Sequence, residues 1–355
     1  MLKFKINKRI ISKKERTYFI ADIAANHDGN LNRAKKLIKL AAKNGADAAK
    51  FQHFKAISIV NKKQFDKMPK LSHQSTWKES VFEVYKKASI NIKWNNELLK
   101  ECKKNKIDFM TAPYDLSYVN QLYKYICAYK IGSGDITWKE LLEKISKKKK
   151  PIILATGASN FKEVKTAVKT IKKLNKNLIL MQCNTNYSGK IENFKHINLN
   201  ALKSYKKYFK DNVILGLSDH TPGHTTVLGA IVLGARVIEK HFTDNNLRKG
   251  PDHKFSMNPN DWKKMVTESR NLENALGDGR KKIEINEKKT SLIQRRGVYA
   301  SRDIKKGEIL KKEMMVCLRP KLINSISPFD VDKFLGKQLN KNINKYDVIT
   351  KKCMI

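Results

Sequence analysis

Between Tyr18 and Phe242, eight short strand-like runs alternate with helical patterns, and no other feature of the chain restricts its fold so tightly. The first four are YFIADIA from Tyr18, AAKFQHF from Ala48, DFMTAPY from Asp108 and AYKIGSG from Ala128. PIILATG from Pro151, LILMQCN from Leu178, VILGLSDH from Val213 and RVIEKHF from Arg236 complete the set. Segments such as NRAKKLIKLAAKNGA lie between them, with apolar residues at three- and four-residue steps, the spacing of one helix face. Gly45 stands where a helix C-terminus favours glycine. Strands alternating with helices predict a parallel sheet, and eight units over about 260 residues fit a closed (β/α)8 barrel better than an open sheet.

Two departures from the alternation mark further parts. An insertion over residues 56–91 interrupts the second unit; it carries SHQSTWKES and is expected over the mouth of the barrel. After ENALGDGRKKIEINEKKTSLIQ the chain turns to short extended pieces, with RDIKKGEIL as a turn between two of them. The reading is a barrel domain over 1–280, a linker over 281–294 and a small β-rich domain over 295–355. A domain of about 60 residues is marginal alone, so docking on a barrel is expected.

Composition narrows the function classes. No stretch approaches the roughly 20 consecutive apolar residues of a membrane span. MLKFKINKRIISKKERTYF at the start is basic but lacks an apolar signal-peptide core, so a cytoplasmic protein without a membrane partner is expected. The five cysteines form no CxxC, which removes zinc-ribbon and dithiol chemistry; Cys183 is expected as a buried thiol. A net charge of +41 suggests polyanion binding, but the lysines fall between the apolar positions of amphipathic helices, as in VKTAVKTIKKLNK. They read as a solvated surface, with no specific nucleic-acid partner. Such a field still speeds the encounter with small anions.

Catalytic groups of such barrels sit at the C-terminal ends of the strands. Distinctive polar residues occupy those places here: Asp22, Asn26 and His27; Lys50, Gln52 and His53; Thr111 and Tyr114; Lys130, Ser133 and Asp135. Thr156, then Asn184 to Tyr187, then Ser218 to His220, and finally Glu239 and His241 follow on the later strands. A single histidine at such a place is commonly structural. His220 and His241 end neighbouring strands at one level, however. Two imidazoles with oxygen donors nearby and no cysteine suit a divalent ion such as Mn²⁺, Fe²⁺, Co²⁺ or Zn²⁺. Lys50 and Lys130 interrupt otherwise apolar strands. Either they snorkel to the rim, or they converge on an anion. Ser133, Thr156 and Ser218 add hydroxyls, and neighbouring glycines let backbone N–H groups approach, which favours a phosphate- or carboxylate-binding floor.

Taken together, IADIAANHDG, KFQ, TAPYD, KIGSGD, ILATGAS, QCNTNY, GLSDHTPG, EKHFT, GPDHKFSMNP and LRP resemble, in order, the motifs of the N-acetylneuraminate (sialic acid) synthase family. The resemblance implies a (β/α)8 TIM barrel followed by a small antifreeze-like (SAF) domain, in a domain-swapped homodimer. It implies condensation of phosphoenolpyruvate with an open-chain N-acyl hexosamine to a nine-carbon 2-keto acid and phosphate. By the same resemblance His220 and His241 ligate a divalent metal, Mn²⁺ by preference with Mg²⁺ or Co²⁺ as alternatives, and act with Asp22 and Asp135 in catalysis. Lys50, Thr111, Lys130, Ser133, Thr156, Asn186 and Ser218 are expected on phosphoenolpyruvate. Gln52, Tyr187 and Asp252 are expected on the sugar, with Arg319 reaching it from a partner's SAF domain. Asp22 and Asp135 stand where the family usually has glutamate, one methylene longer. A phosphoenolpyruvate-dependent sugar-phosphate synthase and a non-catalytic polyanion-binding protein are the competing readings.

Overall fold

Eight parallel strands close into a barrel in chain order, the last pairing with the first, after two earlier short strands. Those two, β1 (Lys3–Ile6) and β2 (Arg9–Ser12), form a separate antiparallel hairpin. The barrel strands are β3 (Tyr18–Asp22), β4 (Ala48–His53), β5 (Asp108–Pro113) and β6 (Tyr129–Ile131). They continue with β7 (Ile152–Ala155), β8 (Leu178–Cys183), β9 (Ile214–Asp219) and β10 (Val237–His241). Each of the eight falls within one of the runs read from the sequence. This computed structural model describes residues 2–71, 74–75 and 77–355; Ser72, His73 and Thr76 of the SHQSTWKES stretch lie outside the described residues. No described helix is long and apolar enough to cross a membrane.

Side chains alternate across a strand, and the alternation divides each barrel strand cleanly. Phe19, Ala49, Phe109, Tyr129, Leu154, Leu180, Leu217 and Ile238 point out and pack with the helices in the main core. Ile20, Ala48, Met110, Ile153, Ile179 and Val237 point in, where they form a second core with Phe4, Ile6 and Ile11 of the hairpin. The hairpin thereby closes the N-terminal end of the barrel, a feature the sequence reading passed over. Gly216 has no side chain for a steric reason: a Cβ there would lie 2.7 Å from the Val237 carbonyl oxygen and 2.9 Å from Met181 Cγ.

The helices begin where capping chemistry starts them. Asn30 caps α1 (Leu31–Lys43) through the Arg33 N–H, and Asn160 forms a capping box with Glu163 ahead of the helix Phe161–Leu174. After α1, Gly45 adopts φ +91°, the left-handed conformation expected of it. The insertion folds as α2 (Ala56–Ile59), α3 (Lys62–Lys67) and α4 (Val81–Ala88).

The chain divides into two compact units, Met1–Gly277 and Asp278–Ile355. Within the second unit, the stretch 281–294, expected as a linker, carries a short helix at Lys288–Gln294. The rest is rich in turns, with one antiparallel pair, Gly297–Ala300 against Met315–Leu318, and further single bridges. Val298, Ile304, Leu310, Ile326, Leu339 and Ile349 supply its own small core.

Candidate active site

The inward positions change character near the C-terminal ends of the strands. Below them the barrel holds Ile, Met and Val; at their level it holds Asp22, Lys50, Lys130, Ser218, Glu239 and His241. Strand register sets the grouping, since Asp22 pairs with Lys50 and with His241, and Glu239 with Ser218. These residues line a cavity of about 400 Å³ together with Gln52, Ser133, Asp135, Tyr187, His220 and Asp252.

Its floor is a tetrad of buried charges. Lys50 Nζ donates to Asp22 Oδ2 at 2.6 Å, and Lys130 Nζ donates to Glu239 Oε1 at 2.5 Å. Lys50 Nζ also lies 3.8 Å from Glu239 Oε2, which ties the pairs together. The lysines are 1% and 4% exposed, so they do not snorkel to the rim. Burial alone would raise Glu239, but Lys130 and Lys50 outweigh it and hold the carboxyl at about 2. Burial raises Asp22 against the opposing pull of Lys50. Gln52 Nε2 donates to the same Asp22 oxygen (3.2 Å), and Ser218 Oγ to Glu239 Oε1 (3.1 Å).

His220 and His241 stand above this floor with ring centroids 5.3 Å apart. The Nδ1–H of His220 donates to the Asn184 carbonyl at 2.8 Å, which leaves Nε2 as its lone-pair nitrogen. His241 Nε2 lies 3.5 Å from Asp22 Oδ2, and its Nδ1 has no hydrogen-bond partner among the described residues. Burial, then His241 beside His220 and the Lys50 and Lys130 charges beside His241, lowers both imidazoles to about 3, so both are neutral at pH 7. No cluster of three or more His, Cys, Asp or Glu side chains is arranged for a metal among the described residues. The protein thus offers two neutral imidazoles, a donor set that fits an ion taking its other ligands from substrate and water.

Two more carboxyls face the cavity. Asp135 is lifted by burial to about 6, and its Oδ2 has no hydrogen-bond partner among the described residues. Asp252 is also lifted to about 6, chiefly by burial, although its Oδ2 accepts the Ala25 N–H at 3.0 Å. Ser133 Oγ accepts the Gly157 N–H at 2.9 Å. A Cβ at Gly157 would come within 2.5 Å of Thr185 Cγ2, so the ATG glycine permits this approach.

Three residues read as anion ligands do not line the cavity, and the reason is geometric. Thr111 follows inward Met110 and therefore points outward; its hydroxyl donates to the Phe51 carbonyl at 3.0 Å and meets His53 Nδ1 at 2.7 Å. Thr156 points outward too, donating to the Met181 carbonyl at 2.8 Å beside Tyr205. Asn186 is exposed and accepts from the Ser188 N–H and from Asn193, organising its own loop. Arg319 belongs to the second unit, where it is exposed. Cys183 is buried at the cavity, and burial pushes its thiol up, away from a reactive thiolate.

Residues 37–281 match the NeuB family. The chain belongs to that family. A SAF domain matches at residues 295–353 of this NeuB-family chain. The N,N'-diacetyllegionaminic acid synthase of Campylobacter jejuni is 40% identical over 339 residues, 94% of this chain and 99% of the relative. A pseudaminic acid synthase of the same species (strain 81-176) is 34% identical over 94% of this chain and 96% of its own. Among solved structures, the N-acetylneuraminic acid synthetase of Leptospira borgpetersenii in complex with citrate superposes with TM-score 0.72 at 27% identity, covering 81% of this chain and 95% of that one.

Glu239 reads in the sequence as a strand-end residue without an assigned role. Period-two spacing was the missed signal, because Glu239 shares the inward face of β10 with His241. Asp219, named among the strand-end residues, points outward and pairs with Lys240, which donates to Asp219 Oδ2 and to the Thr221 carbonyl. Lys240 and Asp219 are the strand neighbours of His241 and His220, and their pair joins β9 to β10 behind the two imidazoles.

Proposed function

We propose that this NeuB-family chain condenses phosphoenolpyruvate with an open-chain N-acyl hexosamine and water, giving a nine-carbon 2-keto sugar acid and inorganic phosphate. One observation carries the reading: a single cavity sets two buried lysines beside two neutral, lone-pair-bearing imidazoles. The relatives named as legionaminic and pseudaminic acid synthases support it.

Lys50 and Lys130 each spend one ammonium hydrogen on a carboxylate and keep the others for the phosphate and carboxylate of phosphoenolpyruvate. Ser133 and Ser218 stand beside them as hydroxyl donors. Gln52, Tyr187 and Asp252 face the acceptor sugar. His220 and His241 would hold a divalent metal, Mn²⁺ by preference, and when bound it supplies a Lewis acid for the sugar aldehyde. The C2=C3 π pair of phosphoenolpyruvate forms the new bond from C3 to the aldehyde carbon as the C=O π bond breaks, and the aldehyde oxygen takes one proton from solvent to become a hydroxyl. Water adds at C2, and Asp135 takes its proton, a task suited to a carboxyl titrating near neutral pH. The tetrahedral C2 then expels phosphate with the C–O bonding electrons, and the remaining hydroxyl loses its proton to become the ketone. Thr111, Thr156 and Asn186 support the strands and loop from outside. Arg319 is assigned to the N-acyl group in the cavity of a partner chain, within a domain-swapped homodimer.

The experiment is phosphate release from phosphoenolpyruvate with and without an N-acyl hexosamine and Mn²⁺. Release is expected only with all three present. Equal release without sugar, or none across a panel of sugars and metals, overturns the reading.

A further inference from the structure

The hydrogen-bonded ladder between β9 and β10 runs from Gly216 and Val237 to Asp219 and Lys240, and it stops one residue short of the two imidazoles. His241 still pairs with Asp22 of β3, but His220 lies beyond the end of β9, where the chain turns toward the helix Thr225–Val232. The Asn184 carbonyl sets the tilt of the His220 ring and not the place of its backbone. Two side chains take over there. Lys240 donates to Asp219 Oδ2 and, at 2.7 Å, to the Thr221 carbonyl. One ammonium thus ties the residue before His241 to the residues on either side of His220. Asp219 Oδ2 also accepts the hydroxyls of Thr221 and Thr226, each at 2.8 Å, so the same carboxylate holds the turn and the start of the next helix. All four side chains are buried. Their neighbours on the outward face, Leu215, Leu217 and Ile238, belong to the main apolar core. An apolar pair there would serve stability as well as an ion pair does, so stability alone gives no reason for charge at these two positions.

We infer that Asp219 and Lys240 are positioning residues: their buried pair braces the backbone of His220 against that of His241 and so sets the spacing of the two imidazoles for a divalent ion. The inference rests on the ligand reading of those histidines. The rings share one cavity with centroids 5.3 Å apart, and a site with two protein ligands depends on holding that spacing. Residues that act on a metal through its ligands change its affinity by about 10- to 100-fold. Charge by itself acts in the opposite direction. Lys240 is a cation next to a ligand, so removing it lowers the repulsion felt by a divalent ion. A weaker site in its absence is the mark of a brace.

The test titrates Mn²⁺ into the full chain by calorimetry, with inorganic phosphate as the internal control for the Lys50 and Lys130 floor. Lys240→Met removes both donations but leaves Asp219 uncompensated, which is costly in a buried site. The double variant Asp219→Asn/Lys240→Met removes the pair together, a change that buried ion pairs commonly tolerate. It should keep the wild-type urea midpoint and phosphate affinity while its Mn²⁺ affinity falls about 10- to 100-fold. Lys240→Met, where it folds, should lose at least as much despite the lost positive charge. Wild-type Mn²⁺ affinity in the folded double variant, or tighter binding in Lys240→Met, overturns the inference and leaves the ligand assignment intact. Loss of the cooperative urea transition in the double variant, or a parallel loss of phosphate affinity, makes the pair a general support of the barrel and overturns the inference too. Mn²⁺ bound equally by wild type and His220→Ala removes the ligand assignment, and this inference with it.

Discussion

Replacing Glu239 by glutamine tests the buried tetrad directly. The substitution keeps shape and removes the charge on which Lys130 rests at 2.5 Å and Lys50 at 3.8 Å. Glu239 titrates near 2 in the folded chain, against an ordinary value of 4.5. At about 1.4 kcal/mol per unit, that difference corresponds to roughly 3 kcal/mol. Removing one partner of a buried ion pair costs about 3–5 kcal/mol, because the other is left uncompensated. The barrel transition in urea at pH 7 should therefore lose about 3–5 kcal/mol, a large part of the 5–15 kcal/mol typical of a domain. The sign with pH follows from linkage. A carboxyl depressed by folding contributes fully above its unfolded value and loses that contribution as pH falls toward the folded one. The gap between wild type and Glu239→Gln should thus be constant above pH 4.5 and narrow as pH falls toward 2. The variant should also bind inorganic phosphate more tightly by calorimetry, since the uncompensated ammonium gains a counter-ion. A loss below about 0.5 kcal/mol, the scale of ordinary surface changes, or a gap indifferent to pH would refute the tetrad as an electrostatic unit.

Three further outcomes are expected. His220→Ala and His241→Ala should each abolish synthase turnover and weaken Mn²⁺ binding in calorimetry, while circular dichroism stays native; full activity after chelation and Mn²⁺ replacement would count against the ligand assignment. His53, buried between Thr111 and Asn95, is held near 4 by burial, so the unfolded chain takes up a proton first; stability should fall as pH drops from about 6.5 toward 4, by up to about 1.4 kcal/mol per pH unit, with a flatter slope in His53→Gln. Mixing Arg319→Ala chains with Lys50→Ala chains should restore part of the activity; no recovery in mixed dimers shown to form would refute a site shared between chains.

The barrel was legible because its signal is repeated eight times, and each strand advertises itself by the same apolar run. The cavity lining was legible where a side chain's position follows from which strand end it occupies, as for Lys50, Lys130, His220 and His241. Thr111 and Thr156 went astray because nearness to a strand end was read without parity. Met110 and Ile153 point in, so Thr111 and Thr156 cannot. Glu239 was under-read for the same cause, with parity in its favour. The cavity wall built by Ile59, Trp77 and Val84 had no local signal. Ile59 and Val84 come from the short helices α2 and α4 and Trp77 from the stretch between α3 and α4, segments whose placement depends on what they pack against, and an isolated Ile or Val there looks like any other core residue. The hairpin of β1 and β2 was missed because four-residue strands fall below the length at which alternation stands out from chance.

That hairpin has a consequence for how the chain reaches its native state. Phe4, Ile6 and Ile11 emerge from the ribosome before any barrel strand, yet their packing partners extend to Ile214 and Val237. The plug has nowhere to go until the last strand closes the ring, more than 200 residues later by this count. During that wait a short apolar hairpin is an invitation to pair with a neighbouring chain. Its composition answers the hazard. Lys3, Lys5, Lys8 and Arg9 alternate with or flank the apolar residues, and charges in such places act as gatekeepers against association. The basic start of the chain, which has no place in the finished cavity, is suited to keeping the plug soluble until there is a barrel to receive it.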